Sequence, residues 1–279
     1  MKKISRRSFL AAAGLSVAAL ALTACGGSSA STASSVASSA ASSEAASTSA
    51  AAGELTTVEA GKLTMATNAA FPPYEMTTDA GEFEGIDIET AQAIADKLGL
   101  ELQIDDMDFD AALLSVQQGK ADIVMAGVTV TDERKAVMDF SDSYATGIQS
   151  IIVPEGSDIA SPDDLAGKKI GTQRGTTGYI YCSDDFGDDN VVAYDDGLTA
   201  VQALNNGQVH AVVIDNAPAQ EFIAANPGLK ILDTSYAEED YAIGMAKGSS
   251  LEDAVNAALK ELKADGTLQS IVDKYITAE

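Results

Sequence analysis

The sequence predicts an α/β protein with two similar lobes, and two observations support this. Between residues 62 and 276, short apolar runs typical of buried strands alternate with stretches of helical periodicity, and the connections are short. The pattern of residues 116–125, in which a helix passes through Gly119 into a strand, recurs weakly at residues 204–213. Such alternation indicates mostly parallel sheets, which bind ligands at the carboxyl ends of their strands. We therefore expect Gly127 and Asp215, which follow the repeated strands, to face one cleft.

Composition excludes several classes of function. The chain has 17 basic and 42 acidic residues and a formal charge of -25, which argues against nucleic-acid binding and against direct adhesion to anionic lipid. Apart from Cys25 there is one cysteine, Cys182, and the single histidine is His210. A disulfide framework, a catalytic Cys/His pair, a metal site and a cofactor are therefore not expected. Cys182 is predicted to be a small buried residue.

The N-terminus, residues 1–24, has the organisation of a signal peptide. Basic residues precede an apolar stretch, residues 9–22, that is short for a membrane span. The following Leu22-Thr23-Ala24-Cys25-Gly26 resembles a bacterial lipobox, which implies cleavage before Cys25 and attachment of lipid, including palmitate, to it. Residues 5–10 also resemble a twin-arginine export motif, so either export route remains open. A Ser/Ala-rich segment, residues 25–53, has no apolar face and is predicted to be a flexible tether.

The first half of the folded region begins with a predicted strand, residues 62–67. Two prolines follow and hold Phe71 and Tyr74 in a loop at the strand's carboxyl end. Next come a helix that ends at Gly99, a strand at residues 100–104, a helix after Phe109 that ends at Gly119, and a strand at residues 121–125.

The stretch after that strand, Ala126-Gly127-Val128-Thr129-Val130-Thr131-Asp132-Glu133-Arg134, carries groups suited to an anion. Gly127 permits a tight turn, and Thr131 can cap a short helix. Arg134 near the start of that helix, with a backbone NH and threonine hydroxyls, can converge on a carboxylate. The alternative is a surface helix with solvated charges.

The second half repeats the alternation. Ser161-Pro162-Asp163-Asp164 is typical of a helix start, and Arg174-Gly175-Thr176-Thr177-Gly178 can hold an anion through backbone NH groups but lacks the pattern of a nucleotide loop. Strands are predicted at residues 169–173, 191–194, 210–214 and 241–245, and helices at residues 198–205, 251–263 and 268–276.

Residues 56–277 resemble the periplasmic-type amino-acid-binding proteins of ABC transporters. The matching motifs are Phe71-Pro72-Pro73-Tyr74-Glu75, Gly85-Ile86-Asp87-Ile88, Gly119-Lys120-Ala121-Asp122, the Gly127 to Arg134 stretch, Asp139-Phe140-Ser141, Gly175-Thr176-Thr177, Asp215 and Asp265-Gly266-Thr267-Leu268. This resemblance implies a type II periplasmic binding fold with two lobes joined by a two-strand hinge at residues 144–148 and 237–241. Lobe 1 would comprise residues 54–144 plus 241–279, and lobe 2 residues 145–240.

The resemblance also implies roles for ten residues in ligand binding. Arg134 and Thr129 would hold an α-carboxylate with help from the Thr176-Thr177 loop, and Asp215 and the Gly127 carbonyl would hold an α-ammonium group. Phe71 and Phe109 would flank the ligand side chain. Asn68 and Gln173 stand where some members have charged residues, so a neutral, polar amino acid is expected. The alternative for Asp215 is a helix cap before residue 216.

The function implied is that of a non-catalytic, extracytoplasmic component of an ABC importer. It would be a monomer anchored by lipid to the outer face of the cytoplasmic membrane, binding a free amino acid and delivering it to a permease that is coupled to an ATPase. Two alternatives remain, since a fold does not determine function. One is a cyclohexadienyl-type dehydratase, and the other is a lipoprotein that senses a ligand.

Overall fold

Two mixed β-sheets with helices packed against them form the two lobes of the structure, a computed structural model that describes residues 55–276. The predicted signal peptide, the lipidation site Cys25 and the tether lie outside these residues. No helix within the described residues is long and apolar enough to cross a membrane.

The first sheet has the strand order β5-β1-β6-β14-β7. Its parallel part consists of β5 (Glu101–Asp106), β1 (Lys62–Thr67) and β6 (Ile123–Val124), connected by α1 (Ile86–Leu98) and α2 (Phe109–Gln117). Two further strands, β14 (Gly244–Ala246) and β7 (Met138–Phe140), extend the sheet in antiparallel orientation. A small antiparallel sheet precedes α1 and contains β2 (Ala70–Phe71), β3 (Glu75–Thr77) and β4 (Phe83–Glu84).

The second sheet has the order β10-β9-β11-β8-β12, and β13 also pairs with β8. The strands β10 (Val191–Tyr194), β9 (Ile170–Gln173) and β11 (Ala211–Asp215) are parallel. The long strand β8 (Ala145–Pro154) runs antiparallel to β11, to β12 (Leu229–Ile231) and to β13 (Ala237–Tyr241). The helices of this lobe are α4 (Thr177–Phe186), α5 (Gly197–Asn205) and α6 (Asn216–Ala225).

The chain passes twice between the sheets, from β7 into β8 and from β13 into β14. After the second passage, α7 (Glu252–Ala264) and α8 (Thr267–Tyr275) pack against α1 in the first lobe. The mutual pairing of β8 and β13 lies at this junction. The lobe boundaries at residues 144/145 and 240/241 stay a prediction.

Three expectations about the elements are wrong in part. The sheets are mostly parallel only in their βαβ portions, because β8 and β14 return from the other lobe and pair antiparallel with β11 and β6. The predicted strand 241–245 is interrupted at Ala242 and Ile243, whose NH groups bond instead to Val128 O at 3.1 Å and to Ser141 Oγ at 3.0 Å. The expected helix after Ser161 is only a 3-10 helix, Pro162–Leu165.

The internal repeat is confirmed by matching backbone geometry. Gly119 and Gly207 both have positive φ, 65° and 69°, and each NH bonds three residues back at 3.0 Å. Asp122 and His210 immediately precede β6 and β11, and the side chain of each accepts a hydrogen bond from a backbone NH group of the adjacent segment. Asp122 Oδ2 accepts from Thr64 N at 2.8 Å, and His210 Nδ1 accepts from Lys169 N at 2.9 Å. The strands that end at the cleft are therefore built in the same way in both lobes.

Candidate functional site

The carboxyl ends of strands from both lobes border one cavity, whose volume is about 400 Å³ when the space open to solvent is included. All ten residues predicted to bind the ligand line it: Asn68, Phe71, Phe109, Gly127, Thr129, Arg134, Gln173, Thr176, Thr177 and Asp215. Five residues that the sequence did not single out as binding residues line it as well: Glu75, Ala126, Gln149, Ile214 and Tyr241. The structure thus brings the predicted set together, while their role as ligand contacts stays a prediction.

Arg134 belongs to the short helix α3 (Asp132–Lys135), whose first turn is capped by Thr131 as predicted. Its side chain is 8% exposed, so the alternative of a solvated surface charge is wrong. The guanidinium donates to Thr129 O at 2.8 Å and to Gly175 O at 3.2 Å, and it lies 5.4 Å from the centre of the Phe109 ring. Burial lowers the pKa of Arg134, and the charge of Glu239 opposes this. Among residues 55–276, no carboxylate forms an ion pair with it.

Threonine hydroxyls surround this guanidinium. Thr129 Oγ1 donates to Glu239 Oε2 at 3.0 Å and lies 3.4 Å from Thr177 Oγ1. Thr176 caps α4 by accepting from Tyr179 N at 3.3 Å. The NH groups in the first turn of α4 therefore add partial positive charge on the side of the cavity that holds Arg134.

Asp215 lies at the end of β11 and caps α6, as its alternative interpretation predicted. Its Oδ1 accepts from Ala217 N at 3.0 Å, and its Oδ2 accepts from Ile148 N at 2.8 Å. Burial raises the pKa of Asp215 to about 6, against the lowering effect of the Tyr241 hydroxyl and these NH groups. An ionised carboxylate has about four acceptor positions, so the cap leaves capacity for a ligand group.

Two uncharged amides lie together at another part of the lining. Gln173 Nε2 donates to Asn68 Oδ1 at 2.8 Å, and Asn68 Nδ2 donates to Met107 O at 2.9 Å. Asn68 follows β1 and Gln173 ends β9, so this hydrogen bond joins the two lobes. Both side chains are nearly buried, at 8% and 4% exposure.

Aromatic rings form the apolar walls. Phe71 stacks on Tyr74 with ring centres 5.8 Å apart, and Tyr74 meets Tyr241 edge to face at 5.4 Å. Gly127 has φ 54°, and a β-carbon there would lie 2.9 Å from Phe71 Cε1. Glycine is required at this position because both the backbone conformation and the close ring exclude a side chain.

The missed residues gave weak local signals. Glu75 stands in a motif that was recognised, but nothing in its neighbourhood indicates complete burial. Gln149, which donates to Glu239 Oε2 at 3.0 Å, lies on β8 just beyond the hinge strand expected at residues 144–148. Tyr241 was expected both to end the hinge strand 237–241 and to begin a strand 241–245, and it ends β13.

Comparisons with known proteins agree on one family. The profile of the bacterial extracellular solute-binding proteins, family 3, matches residues 63–278. The L-cystine-binding protein TcyJ of Escherichia coli (strain K12) is 32% identical over 79% of this chain and 85% of its own length. The arginine-binding extracellular protein ArtP of Bacillus subtilis (strain 168) is 33% identical over 78% of this chain and 87% of its own. A solved structure of an ancestral arginine-binding protein bound to glutamine is 41% identical, covers 78% of this chain and 99% of its own, and superposes with a TM-score of 0.75.

Proposed function

This chain belongs to the bacterial extracellular solute-binding proteins, family 3, and we propose that it binds a free L-amino acid in the interlobe cavity and delivers it to the permease of an ABC importer. Homologues named for cystine, arginine, histidine and glutamine are amino-acid-binding proteins. We propose that the present chain shares this amino-acid binding and that the interlobe cavity is its binding site.

One observation carries the proposal: a buried cation and a buried anion face the same cavity. Among residues 55–276, the guanidinium of Arg134 donates only to carbonyl oxygens, and Asp215 is 2% exposed. A buried charge is costly unless it is paired, and Arg binds carboxylates through two parallel hydrogen bonds. The carboxylate and ammonium of an amino acid would supply both missing charges at once. Because the lining comes from both lobes, these contacts are complete only when the lobes are together, so ligand binding would stabilise the closed state.

For the ligand side chain, we propose a neutral, polar amino acid. The pair Asn68–Gln173 supports this because two amides offer both donors and acceptors without charge. The structure of the ancestral relative bound to glutamine shows that a related cavity accepts such a ligand. Asn68 and Gln173 would exchange their mutual hydrogen bond for bonds to the ligand.

A basic amino acid is the second candidate, and a specific observation favours it. Among the described residues that line the cavity, Glu75 and Asp215 are acidic and Arg134 is the one basic residue. The relative ArtP is named for arginine. A cationic ligand side chain near Glu75 would favour the ionised form of that carboxyl and pair with it.

Thermal unfolding of the purified protein against each common amino acid would test both candidates. Any co-purified ligand is first removed by unfolding and refolding. An amino acid present at about a hundred times its dissociation constant should add about 2.7 kcal/mol of stability. Stabilisation by glutamine or another neutral polar amino acid supports the first candidate, and stabilisation by arginine or lysine supports the second. If no amino acid stabilises the protein, the roles proposed for Arg134 and Asp215 are wrong.

The remaining aspects of the proposal concern location and chemistry. We propose lipid attachment at Cys25 and a position on the outer face of the cytoplasmic membrane, based on the sequence of residues 1–53. We also propose a monomeric state, in line with the family resemblance. Members of the family are binding proteins, and turnover of prephenate or arogenate by the purified protein would be the result that favours the dehydratase alternative. If uptake of the amino acid requires both this protein and a permease encoded by a neighbouring gene, the protein is a transporter component and not a sensor.

A further inference from the structure

Two carboxyl groups are buried side by side beneath the cavity. Glu75 begins β3, and Asp87 lies in the first turn of α1; both side chains are 0% exposed. Within residues 55–276, no N–H or hydroxyl group reaches either oxygen of Glu75 or the Oδ1 of Asp87. Burial raises the pKa of both carboxyls, and the interaction between their side chains raises that of Glu75 further and lowers that of Asp87, as expected for adjacent groups. Two carboxylates in contact without solvent cannot both be ionised, so the contact requires a shared proton.

The other oxygen of Asp87 accepts hydrogen bonds from two separate segments of the chain. Its Oδ2 accepts from Gly127 N at 3.0 Å and from Tyr144 Oη at 2.8 Å. Gly127 lines the cavity, and Tyr144 immediately precedes β8, where the chain first enters the second lobe. One carboxylate therefore joins the cavity wall to the junction between the lobes.

We propose that Glu75 is protonated and donates to Asp87, and that this carboxyl pair is a positioning device for Gly127 in the ligand cavity. Donation by Glu75 satisfies the oxygen of Asp87 that has no other donor, and the negative charge of Asp87 strengthens its bonds from Gly127 and Tyr144. Loss of the proton would leave two adjacent charges and push the carboxyls apart. The NH of Gly127, and with it the turn that faces the ligand, would then move.

Among residues 55–276, the titratable groups that act on the pair are phenols and one carboxyl rather than cations. They are Tyr74, Tyr144 and Asp106. The guanidinium that lines the same cavity, Arg134, is engaged by two carbonyl oxygens. Burial and the neighbouring Asp87 raise the pKa of Glu75 well above its ordinary value, in agreement with a proton held at neutral pH.

Infrared spectroscopy of the unliganded protein in heavy water at neutral pH tests the shared proton. A neutral carboxylic acid has a carbonyl band at higher frequency than a carboxylate. We expect such a band in the wild type and its loss in Glu75→Gln, which replaces the acid with an amide of the same shape. Asp96, an exposed acid, lies on α1 as Asp87 does. Asp96→Asn is therefore the matched control and should leave the band unchanged. A wild type without the band, or a band that persists in Glu75→Gln, would overturn the proposal.

Ligand affinity and the amide NMR signal of Gly127 test the positioning role; the affinity measurement rests on the proposed function. The amide of Glu75→Gln can still donate to Asp87, so the Gly127 amide signal should keep its wild-type position in this variant. Glu75→Met removes the donor at similar size, and we expect about tenfold weaker binding and a displaced Gly127 amide signal. Equal affinity and an unmoved Gly127 signal in Glu75→Met would contradict positioning. If Glu75→Met does not fold, Asp87→Asn, which loses the charge beneath Gly127, should shift that signal in its place. If no amino acid binds the wild type, the proposed function fails, while the infrared and Gly127 measurements still decide the pair.

Discussion

The phenol ring of Tyr241 lies directly over Gly147, so that a β-carbon at position 147 would fall 2.4 Å from Cζ and 2.5 Å from the hydroxyl oxygen. Gly147 is on β8 and Tyr241 is the last residue of β13, the two strands that pair where the chain passes between lobes. The hydroxyl of the same phenol lowers the pKa of Asp215, against the raising effect of burial, and its ring contacts Tyr74. One aromatic ring thus connects both passages between the lobes to the cavity.

Replacement of Gly147 by alanine should destabilise the protein. The added methyl group would overlap a fully buried ring that has no space to move, and overpacking of this kind costs about 1–3 kcal/mol. Urea unfolding measures the change. Gly156→Ala is the matched control, because a β-carbon there has no neighbour within 4 Å. An equal stability change in the two variants would show that Tyr241 does not restrict position 147.

Replacement of Arg134 by methionine should remove most of the affinity for amino acids. The variant keeps the bulk of the side chain but loses the one guanidinium that lines the cavity among residues 55–276, so the ligand carboxylate would be buried unpaired. A loss of about 2–5 kcal/mol, at least about thirtyfold in the dissociation constant, is expected by calorimetry. Lys135→Met, on the next and largely exposed side chain, is the control and should bind like the wild type. Retained affinity in Arg134→Met would exclude this guanidinium as the carboxylate site.

Replacement of Asn68 by aspartate should shift preference toward basic amino acids. The new carboxylate can still accept the hydrogen bond from Gln173, but it adds a negative charge to the cavity. We expect the ratio of affinities for arginine over glutamine to rise by about tenfold, since one charge pair is worth about 1.4 kcal/mol or more when desolvated. Competition with both amino acids measures the ratio. Asn68→Ala tests the site itself: an unchanged ligand profile would show that Asn68 does not contact the ligand side chain.

Cys25→Ser should release the protein from the membrane fraction and abolish labelling with palmitate. The serine hydroxyl cannot form the thioether on which lipid attachment depends, and the remaining sequence of the tether is too polar to hold a membrane. Fractionation and metabolic labelling measure the effect, with Cys182→Ser as the control, because that thiol is buried in the second lobe. Continued labelling of Cys25→Ser would place the anchor elsewhere.

Local patterns were sufficient for the elements that bear on the site. The predicted strands at 62–67 and 191–194 have the observed bounds, because alternation of apolar runs with Gly and Pro marks their ends. The rule that ligands lie at carboxyl ends of parallel strands, together with the family resemblance, placed Gly127 and Asp215 in one cavity. Local patterns did not give pairings between distant parts of the chain, and the hinge strands at residues 144–148 and 237–241 were expected only from the family resemblance. The contacts of Tyr241 with Gly147 and of Glu75 with Asp87 join segments whose own sequences carry no sign of the partner.

Acidification from about pH 7 to about pH 5 should stabilise the unliganded protein and weaken its binding of amino acids. Burial raises the pKa of Asp215 to about 6 from 3.8, so the folded state holds a proton that the unfolded state releases. The stability from this group is fully present below about pH 3.8 and is lost as the pH rises through about 6. Between about pH 5 and 7 the difference is about 1 kcal/mol, and Asp87, whose pKa burial also raises to about 6, adds a similar amount.

The pH dependence of ligand affinity has the opposite sign to that of stability, because an ammonium group requires the ionised form of Asp215. The dissociation constant should therefore rise by about tenfold between about pH 7 and about pH 5. Urea unfolding without ligand and calorimetry with ligand at both pH values measure the two trends. In Asp215→Asn the part of the stability trend due to this group should disappear, while the contribution of Asp87 and of the reduced negative charge remains. Protonation of Asp215 and binding of an ammonium group to it exclude each other. Affinity that is independent of pH in the wild type would therefore mean that Asp215 is not the partner of the ligand ammonium.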